Sequence, residues 1–432
     1  MSSFKVLHVT FDWGNGGAAI GARRLYGAMK KHGVNCEMLV VHNAHPGNME
    51  PLVFKRPLWR VKLANKIYAR LNKWHKTGSP VLKSYNLMPT GLHKVINESD
   101  ADIVQCHWLG ANAISISEFA KIKKPIFWKL PDMWAISGAE HYNLPDDKPR
   151  YSLGYTAETQ QDHEVGFDLN KWVWRYKIRH WRHSKMNLNI VCPSKWLENC
   201  VSKSQIMADR PVRQIFNPID TELFKPMDRA AALEKLGLSH LADKKIISFG
   251  ADGAMAAHRK GYHHLVKAIE ILGKTRDDYA LLIFGGPKRD KVDLHGIEAY
   301  SLGRIDNVHS VVQLYNASDV FVLPSERDNL PNVIKEAMVC GTPCVSFDIG
   351  GCPDMIEHLN TGYLAKPFDA DDLAAGVEWV LAQQSSELSE KVRRVSSARH
   401  DEKNAVLNYL EYYQSVLPNH KGLQLKKAEL EQ

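Results

Sequence analysis

Short apolar runs alternate with longer stretches of helical periodicity along nearly the whole chain. The runs at 5–10 (KVLHVT), 36–42, 102–107, 125–130 and 188–193 read as strands, and a second series follows at 245–250, 279–286, 320–324 and 342–348. Strands buried on both faces lose their inside–outside alternation, and intervening helices supply the crossovers of a parallel sheet. Two such series, meeting between Val191 and Lys244, predict an α/β protein with two doubly wound, Rossmann-like domains facing across a cleft, over 1–205 and 206–403. The stretch NAVLNYLEYYQSVL (404–417) predicts an amphipathic helix that crosses back to the first domain through residue 420. Weak periodicity makes 418–432 a mobile tail.

In open α/β sheets, ligands sit beyond the carboxyl ends of the strands, so the segments just after strands are where chemistry is expected. After the first strand, Gly14, Gly16 and Ala19 nearly spell the G-x-G-x-x-A dinucleotide fingerprint. The second strand ends in His42 rather than the acid that would hold a ribose hydroxyl, which makes an NAD oxidoreductase the weakest reading. A Gly-rich turn at a helix start still suits an anion, and Gly16 and Gly17 are candidates.

After the first strand of the second series come Gly250 and then Arg259-Lys260-Gly261 before a helix. Two adjacent cations there suit a diphosphate, with a planar fork from Arg and a point charge from Lys. His258, His263 and His264 lie nearby, but no acid or Cys completes a ligand set, so no metal is assigned and no cofactor is implied. DADD (369–372) reads as a helix cap rather than a metal motif.

SERDNLPNVIKEAMVCGTPC (325–344) follows a strand and opens a helix, with Pro331 at its first position. The N–H groups of Asn329, Leu330, Pro331's neighbours Asn332 and Val333, and the helix start itself suit a phosphate. Glu336, further in, can accept two vicinal ribose hydroxyls, and Asp328 can hold hydroxyls of a second sugar. Glu326 is left without a role.

Composition adds bounds. With 44% hydrophobic and 24% charged residues among 432, the chain is globular, and no apolar run nears the ~18 residues of a membrane span. The N-terminus reads as a strand rather than a signal peptide, and seven scattered cysteines favour reduced thiols in the cytoplasm. Residues 1–190 hold 27 Lys and Arg against 15 Asp and Glu, leaving 29 against 33 for the rest. A first half at +12 on a second at −4 points the first toward an anionic surface. No zinc-finger or RNP1 pattern appears, so no nucleic acid is expected.

Two basic, aromatic helices fit that surface. In 55–76, Trp59, Leu63, Ile67, Leu71 and Trp74 form one stripe beside Lys62, Lys66, Arg70 and Lys73. In 170–185, Trp174, Ile178 and Trp181 lie beside Lys171, Arg175, Arg179 and Arg182. Each suits an anionic membrane surface, and each stripe could equally pack on the sheet.

DNLPNVIKEAMVCGTPCVSFDIGGCPDMI (328–356) resembles the signature of family-4 glycosyltransferases of the GT-B fold, usually E-G-F-G followed by E-A-M-A-x-G-x-P. Supporting matches are GGAAIGARRLYGAMKKHG, PSKWL (193–197), NPIDTELFKP (217–226), RKG (259–261) and LYNASDVFVLPS (314–325). Their order and spacing are similar to those of bacterial exopolysaccharide, colanic-acid and O-antigen enzymes. The resemblance implies a retaining, metal-independent hexosyltransferase that uses a UDP- or GDP-sugar and a lipid-linked glycan acceptor. It would work from the cytoplasmic face of the inner membrane, docked there through 55–76, with 170–185 as the second candidate segment.

By the resemblance, Gly16 and Gly17 lie against the donor, Lys260 binds diphosphate, Glu336 the ribose, Asp328 the donor sugar, and Asn329 to Asn332 the sugar and phosphate. Arg304 falls where relatives seat the base, and Arg259 replaces an arginine whose place is taken by Ala251. Pro131 stands where relatives carry a histidine that contacts the sugar. That leaves Asp132, Trp134, His141 and His107 as polar and aromatic candidates on the acceptor side, with Asp132 joining Asp328, Lys260 and Arg259 as catalytic. Two rival readings are a nucleotide-sugar epimerase and a non-catalytic sugar-nucleotide-binding protein of the same fold.

Overall fold

A computed structural model describes residues 4–14, 16–42, 51–77, 79, 81–250, 253, 257–274, 276–383 and 386–431. The chain divides into two compact units, 1–218 together with 402–432, and 219–401.

The first unit is built on a seven-stranded, wholly parallel sheet. Its order is Leu52–Val53, Asn35–His42, Lys5–Asp12, Ile103–Cys106, Ile126–Lys129, Leu188–Cys192 and Val212–Gln214. Successive side chains point to opposite faces, and both faces here are apolar. Val6, Ile103, Phe127 and Val191 belong to one buried cluster, while Leu7, Val9, Val104, Trp128 and Ile190 belong to the other. The first domain was expected to stop at 205, but Val212–Gln214 pairs with Leu188–Cys192 and draws residues through 218 into this unit.

The helix Glu402–Val416 completes the first of these clusters with Val406, Tyr409, Leu410, Tyr412 and Tyr413. The Tyr413 hydroxyl donates to Gln105 Oε1 at 2.8 Å, 308 residues away in sequence. The expected mobile tail is instead a helix, Lys421–Glu431, with Leu423 and Leu430 buried in the same cluster. Two leucines seven apart are enough to dock it, though too few to reveal a period.

The second unit has seven strands in the order Lys288–Leu294, Ile297–Leu302, Tyr279–Phe284, Lys245–Gly250, Val320–Leu323, Cys344–Phe347 and Gly362–Ala365. All neighbours are parallel except the first pair. The central strands are buried along their length, as their continuous apolar sequence requires. Asp369 caps Ala370–Ala382 by accepting from the N–H groups of Asp371 and Asp372 at 3.0 Å, so DADD is a helix start. All seven cysteines are buried and unpaired. Among the described residues no helix is long and apolar enough to cross a membrane.

The two basic helices have different fates. In the second, Leu169–Lys177 runs on into a π-helical turn, Ile178–Arg182, and its stripe packs inward. Trp181 is buried against Phe119, Trp128 and Trp134, and its indole N–H donates to the Ile116 carbonyl at 2.8 Å. Lys177 is buried too, its ammonium held by the carbonyls of Trp134, Ser137 and Gly138. That apolar stripe is core, not a membrane face. In the first, Leu58–Trp74, Trp59 and Trp74 are 62% and 61% exposed and Leu63 is also exposed. Ala64 is buried, and Tyr68 donates its hydroxyl to Asn112 Oδ1 at 2.6 Å, so this helix is held by another side and presents its tryptophans.

Candidate functional site

Within the second unit, the site is organised by the meeting of two segments. One is the 3-10 turn His258–Lys260, which leads into the helix Tyr262–Leu272. The other is the loop after strand Val320–Leu323, which leads into the helix Asn332–Val339. They touch at Gly261, whose φ is +73° and whose absent Cβ would stand 1.7 Å from the Pro324 carbonyl oxygen. Only glycine permits both that conformation and that approach. The contact is extended by the Glu326 N–H, which donates to the Arg259 carbonyl at 2.8 Å.

This approach brings Lys260 onto Asp328, Nζ to Oδ2 at 2.5 Å, with both side chains nearly buried. The Ser325 hydroxyl donates to the same carboxylate oxygen at 3.3 Å. A buried ion pair recovers its desolvation cost only through close geometry and added hydrogen bonds, and this one has both. Asn329, Leu330 and Pro331 are buried, while Asn332 and Val333 are half-buried. Pro331 stands one place earlier than expected. It is the N-cap, extended at ψ 120°, and the helix begins at Asn332.

Glu336 is buried one turn inside that helix and accepts from the Tyr315 hydroxyl at 3.0 Å. Tyr315 belongs to the helix Val308–Ala317. Burial first, and then the Glu336 charge, hold its phenol well above the ordinary tyrosine range, so it stays a donor at neutral pH. The Thr342 hydroxyl in turn donates to the Tyr315 carbonyl at 2.7 Å. Sequence reasoning missed Tyr315. Its i, i+3 spacing with Val312 marks a buried face, but nothing in the sequence pairs it with a glutamate 21 positions on.

The remaining candidates of this unit are more dispersed. Gly250 ends its strand, and Arg259 is exposed on the 3-10 turn. Arg304 is exposed beyond strand Ile297–Leu302 and pairs with Asp306 at 2.7 Å. Ala251 lies outside the described residues. Glu326, left idle by the sequence, is approached by three histidines, so the missing acid that argued against a metal is present in space.

In the first unit, Gly16 takes φ +94° as the N-cap of the helix Gly17–Lys31, which glycine alone accepts readily. The acceptor-side candidates form a buried polar network. Asp132 Oδ2 accepts from Trp108 Nε1 at 2.9 Å and from His141 Nδ1 at 2.6 Å. With that proton on Nδ1, His141 Nε2 accepts from the Ser84 hydroxyl at 2.8 Å. Trp134 donates its indole N–H to the Ser84 carbonyl and its backbone N–H to Asp132 Oδ1. His107 stacks on His8, Nε2 to Nδ1 at 3.0 Å. Burial first, then the charge of Lys129, lower His8 to about 3 and His107 well below its usual range. All four candidates are buried, and Asp132 is the most accessible of them.

Comparisons with known proteins bear on both units. Residues 243–399 match the family model described as glycosyl transferases group 1. That match falls within the second unit. N-acetyl-alpha-D-glucosaminyl L-malate synthase of Bacillus anthracis is 26% identical over 226 residues, 50% of this chain and 57% of that protein. The chain thus aligns with little more than half of that relative's length. Among solved structures, sucrose-phosphate synthase from Thermosynechococcus elongatus superposes with a TM-score of 0.64 at 16% identity, over 96% of this chain and 99% of that one. Anabaena HepE, solved in complex with UDP and glucose, gives 0.63 at 15% identity, over 95% and 100%. At these identities the likeness is one of fold: the architecture is that of GT-B glycosyltransferases.

Proposed function

We propose that this protein is a retaining glycosyltransferase that moves a hexose from a nucleoside-diphosphate sugar, UDP- or GDP-linked, to a hydroxyl of a lipid-linked glycan in surface polysaccharide synthesis. The observation that carries the reading is the setting of Glu336. It is a buried carboxylate oriented by Tyr315, on the helix that follows the Lys260–Asp328 pair. Support comes from the glycosyl transferases group 1 match over these same residues, and from the UDP and glucose held by Anabaena HepE, which shares the fold.

In this reading Glu336 accepts the ribose hydroxyls and Asp328 those of the hexose. Lys260 exchanges its partner carboxylate for a phosphate oxygen when donor enters. As the glycosidic bond breaks, negative charge grows on the leaving diphosphate. Lys260, Arg259 and the N–H groups at the start of Asn332–Val339 stabilise it. These groups supply the charge stabilisation, so the transfer itself proceeds without an essential metal. The leaving phosphate helps deprotonate the acceptor on the same face, which retains the anomeric configuration and requires no side-chain nucleophile. Arg304 is the candidate for the base.

The acceptor's lipid would be met by the helix Leu58–Trp74. Its exposed Trp59, Leu63 and Trp74 beside exposed Lys62, Lys66, Arg70 and Lys73 suit a peripheral position on an anionic, cytoplasmic membrane face. A binding panel of UDP- and GDP-sugars, with Glu336→Ala as control, tests the donor half of the reading. Undiminished binding by Glu336→Ala would end the ribose assignment. Flotation with anionic vesicles tests the membrane half, and loss of flotation in Trp59→Ala/Trp74→Ala is the expected result.

A further inference from the structure

Three imidazoles converge on one carboxylate oxygen of the second unit. Glu326 Oε1 lies 3.5 Å from His258 Nδ1, 3.2 Å from His263 Nε2 and 3.4 Å from His264 Nε2. Ligand atoms of His258, His263 and Glu326 all fall within 4.8 Å of one another. The rings crowd together as well, with centroids 4.3 Å apart for His258 and His263 and 4.0 Å for His263 and His264.

Ordinary hydrogen bonding accounts poorly for this. One carboxylate oxygen has two lone pairs, and three neutral imidazoles compete for them. His264 is 9% exposed, and its Nε2 is buried without a hydrogen-bond partner although it faces that oxygen. A metal ion explains the spacing directly. Nitrogen and oxygen ligands bind zinc at about 2.0–2.1 Å, and the edge of a tetrahedron on that radius is about 3.3–3.4 Å. The His258 and His263 separations from Glu326 Oε1 bracket that edge.

We propose that His258, His263 and Glu326 bind a divalent transition-metal ion, with solvent completing its coordination. Imidazole and carboxylate together favour Zn²⁺ and its late first-row neighbours over Mg²⁺ or Ca²⁺, which prefer all-oxygen sets. His258 is the open side of the site, its side chain 71% exposed, so the ion has a route in from solvent. The ligands come from the two segments that meet at Gly261, so the ion ties the turn bearing Lys260 to the loop bearing Asp328. Its role is to hold that junction rather than to take part in transfer. The effect on donor affinity rests on the proposed function, whereas metal binding does not.

The test uses the full-length, untagged protein stripped with chelator and titrated with Zn²⁺ by calorimetry, and with Co²⁺ by visible absorption. One equivalent of Zn²⁺ and the intense d–d bands of four-coordinate Co²⁺ are expected. His258→Ala, His263→Ala and Glu326→Gln should each weaken binding by at least the roughly 10–100-fold that loss of even an outer partner of a metal site costs. His258 is exposed, so its variant folds, which far-UV circular dichroism verifies. Failure of the parent protein to take up either ion, or equal uptake by the His258→Ala variant, would overturn the proposal. A second readout compares UDP-sugar affinity of the parent with and without Zn²⁺. Unchanged uptake with unchanged donor affinity would remove the link to Lys260 and Asp328 and leave the metal site standing.

Discussion

Tyr315→Phe isolates one hydroxyl. The ring is fully buried and meets Phe321 and Phe284 edge-on, with centroids 5.5 and 6.0 Å away, and phenylalanine preserves both contacts. What disappears is the 3.0 Å hydrogen bond to Glu336. A hydrogen bond to a charged partner contributes about 1.5–3 kcal/mol, and its loss inside the protein also leaves a carboxylate lone pair short of a donor. We therefore expect a stability loss of about 2 kcal/mol. The second unit spans residues 219–401, a size for which each kcal/mol shifts the melting temperature by roughly 2–4 °C. Its transition should fall by about 4–8 °C in scanning calorimetry. In the proposed function the same hydroxyl fixes the carboxylate for the ribose, so the Kd for the preferred nucleotide sugar should rise about tenfold, equivalent to ~1.4 kcal/mol. Glu336→Gln and the double variant complete a cycle, and the two substitutions should couple by more than about 0.5 kcal/mol, as residues in contact do. A melting temperature within a degree of the parent, or strictly additive effects, would refute the role given to Tyr315.

Other perturbations reach different parts of the molecule. Gly261→Ala places a Cβ against the Pro324 carbonyl oxygen at a φ of +73°. The left-handed conformation alone costs about 1–2 kcal/mol, and the clash adds to it, so this variant should melt well below the parent; an unchanged melting curve would show that the junction yields freely. Glu118 is raised by burial but lowered further by hydrogen bonds from Thr90, Gly91 and Ser115, for a net depressed pKa. A carboxylate depressed in the folded state contributes stability above its unfolded pKa and loses it as pH falls. Glu118→Gln should therefore destabilise at pH 7 by about 1–3 kcal/mol, with the gap closing toward acid in urea titrations. Lys129 is buried and lowered to about 7 by desolvation. Above that pKa the unfolded chain binds the extra proton, so stability should rise from about pH 7 toward 10, and Lys129→Met should flatten that slope. A parent whose stability is level across that range would contradict the burial of this amine.

The nine strands read from apolar runs are all present, because burial on both faces writes itself into the sequence. The strands missed include an interior one, Ile297–Leu302, whose buried and half-buried residues alternate instead of forming a continuous apolar run, and several at sheet edges. Leu52–Val53 and Val212–Gln214 are two- and three-residue edges, and Lys288–Leu294, with its charged residues, is an edge strand that pairs antiparallel. Such strands carry little pattern, since one side needs no partner. Among candidate residues, Lys260, Asp328 and Glu336 could be named from motif spacing because each lies in a segment that follows a strand. Their pairings could not. The Lys260–Asp328 contact spans 68 positions, and the three histidines around Glu326 are up to 68 positions from it. Trp181 and Trp59 show the same limit. Both stand on basic, aromatic stripes, yet only tertiary packing determined that one is core and the other faces outward.

The first unit takes its last helices from the end of the chain, while residues 219–401 are an insertion within it. The ends of that insertion are stitched together, with the Ile219 N–H donating to the His400 carbonyl at 3.0 Å. During synthesis the insertion can finish folding while the unit begun before it still waits, its cluster of Phe4, Val6 and Phe127 uncovered until Tyr409 and Tyr413 emerge. The part of the protein made first is thus the part completed last. A chain truncated before residue 402 would leave the ribosome with its second unit complete and an apolar sheet face of the first unit exposed.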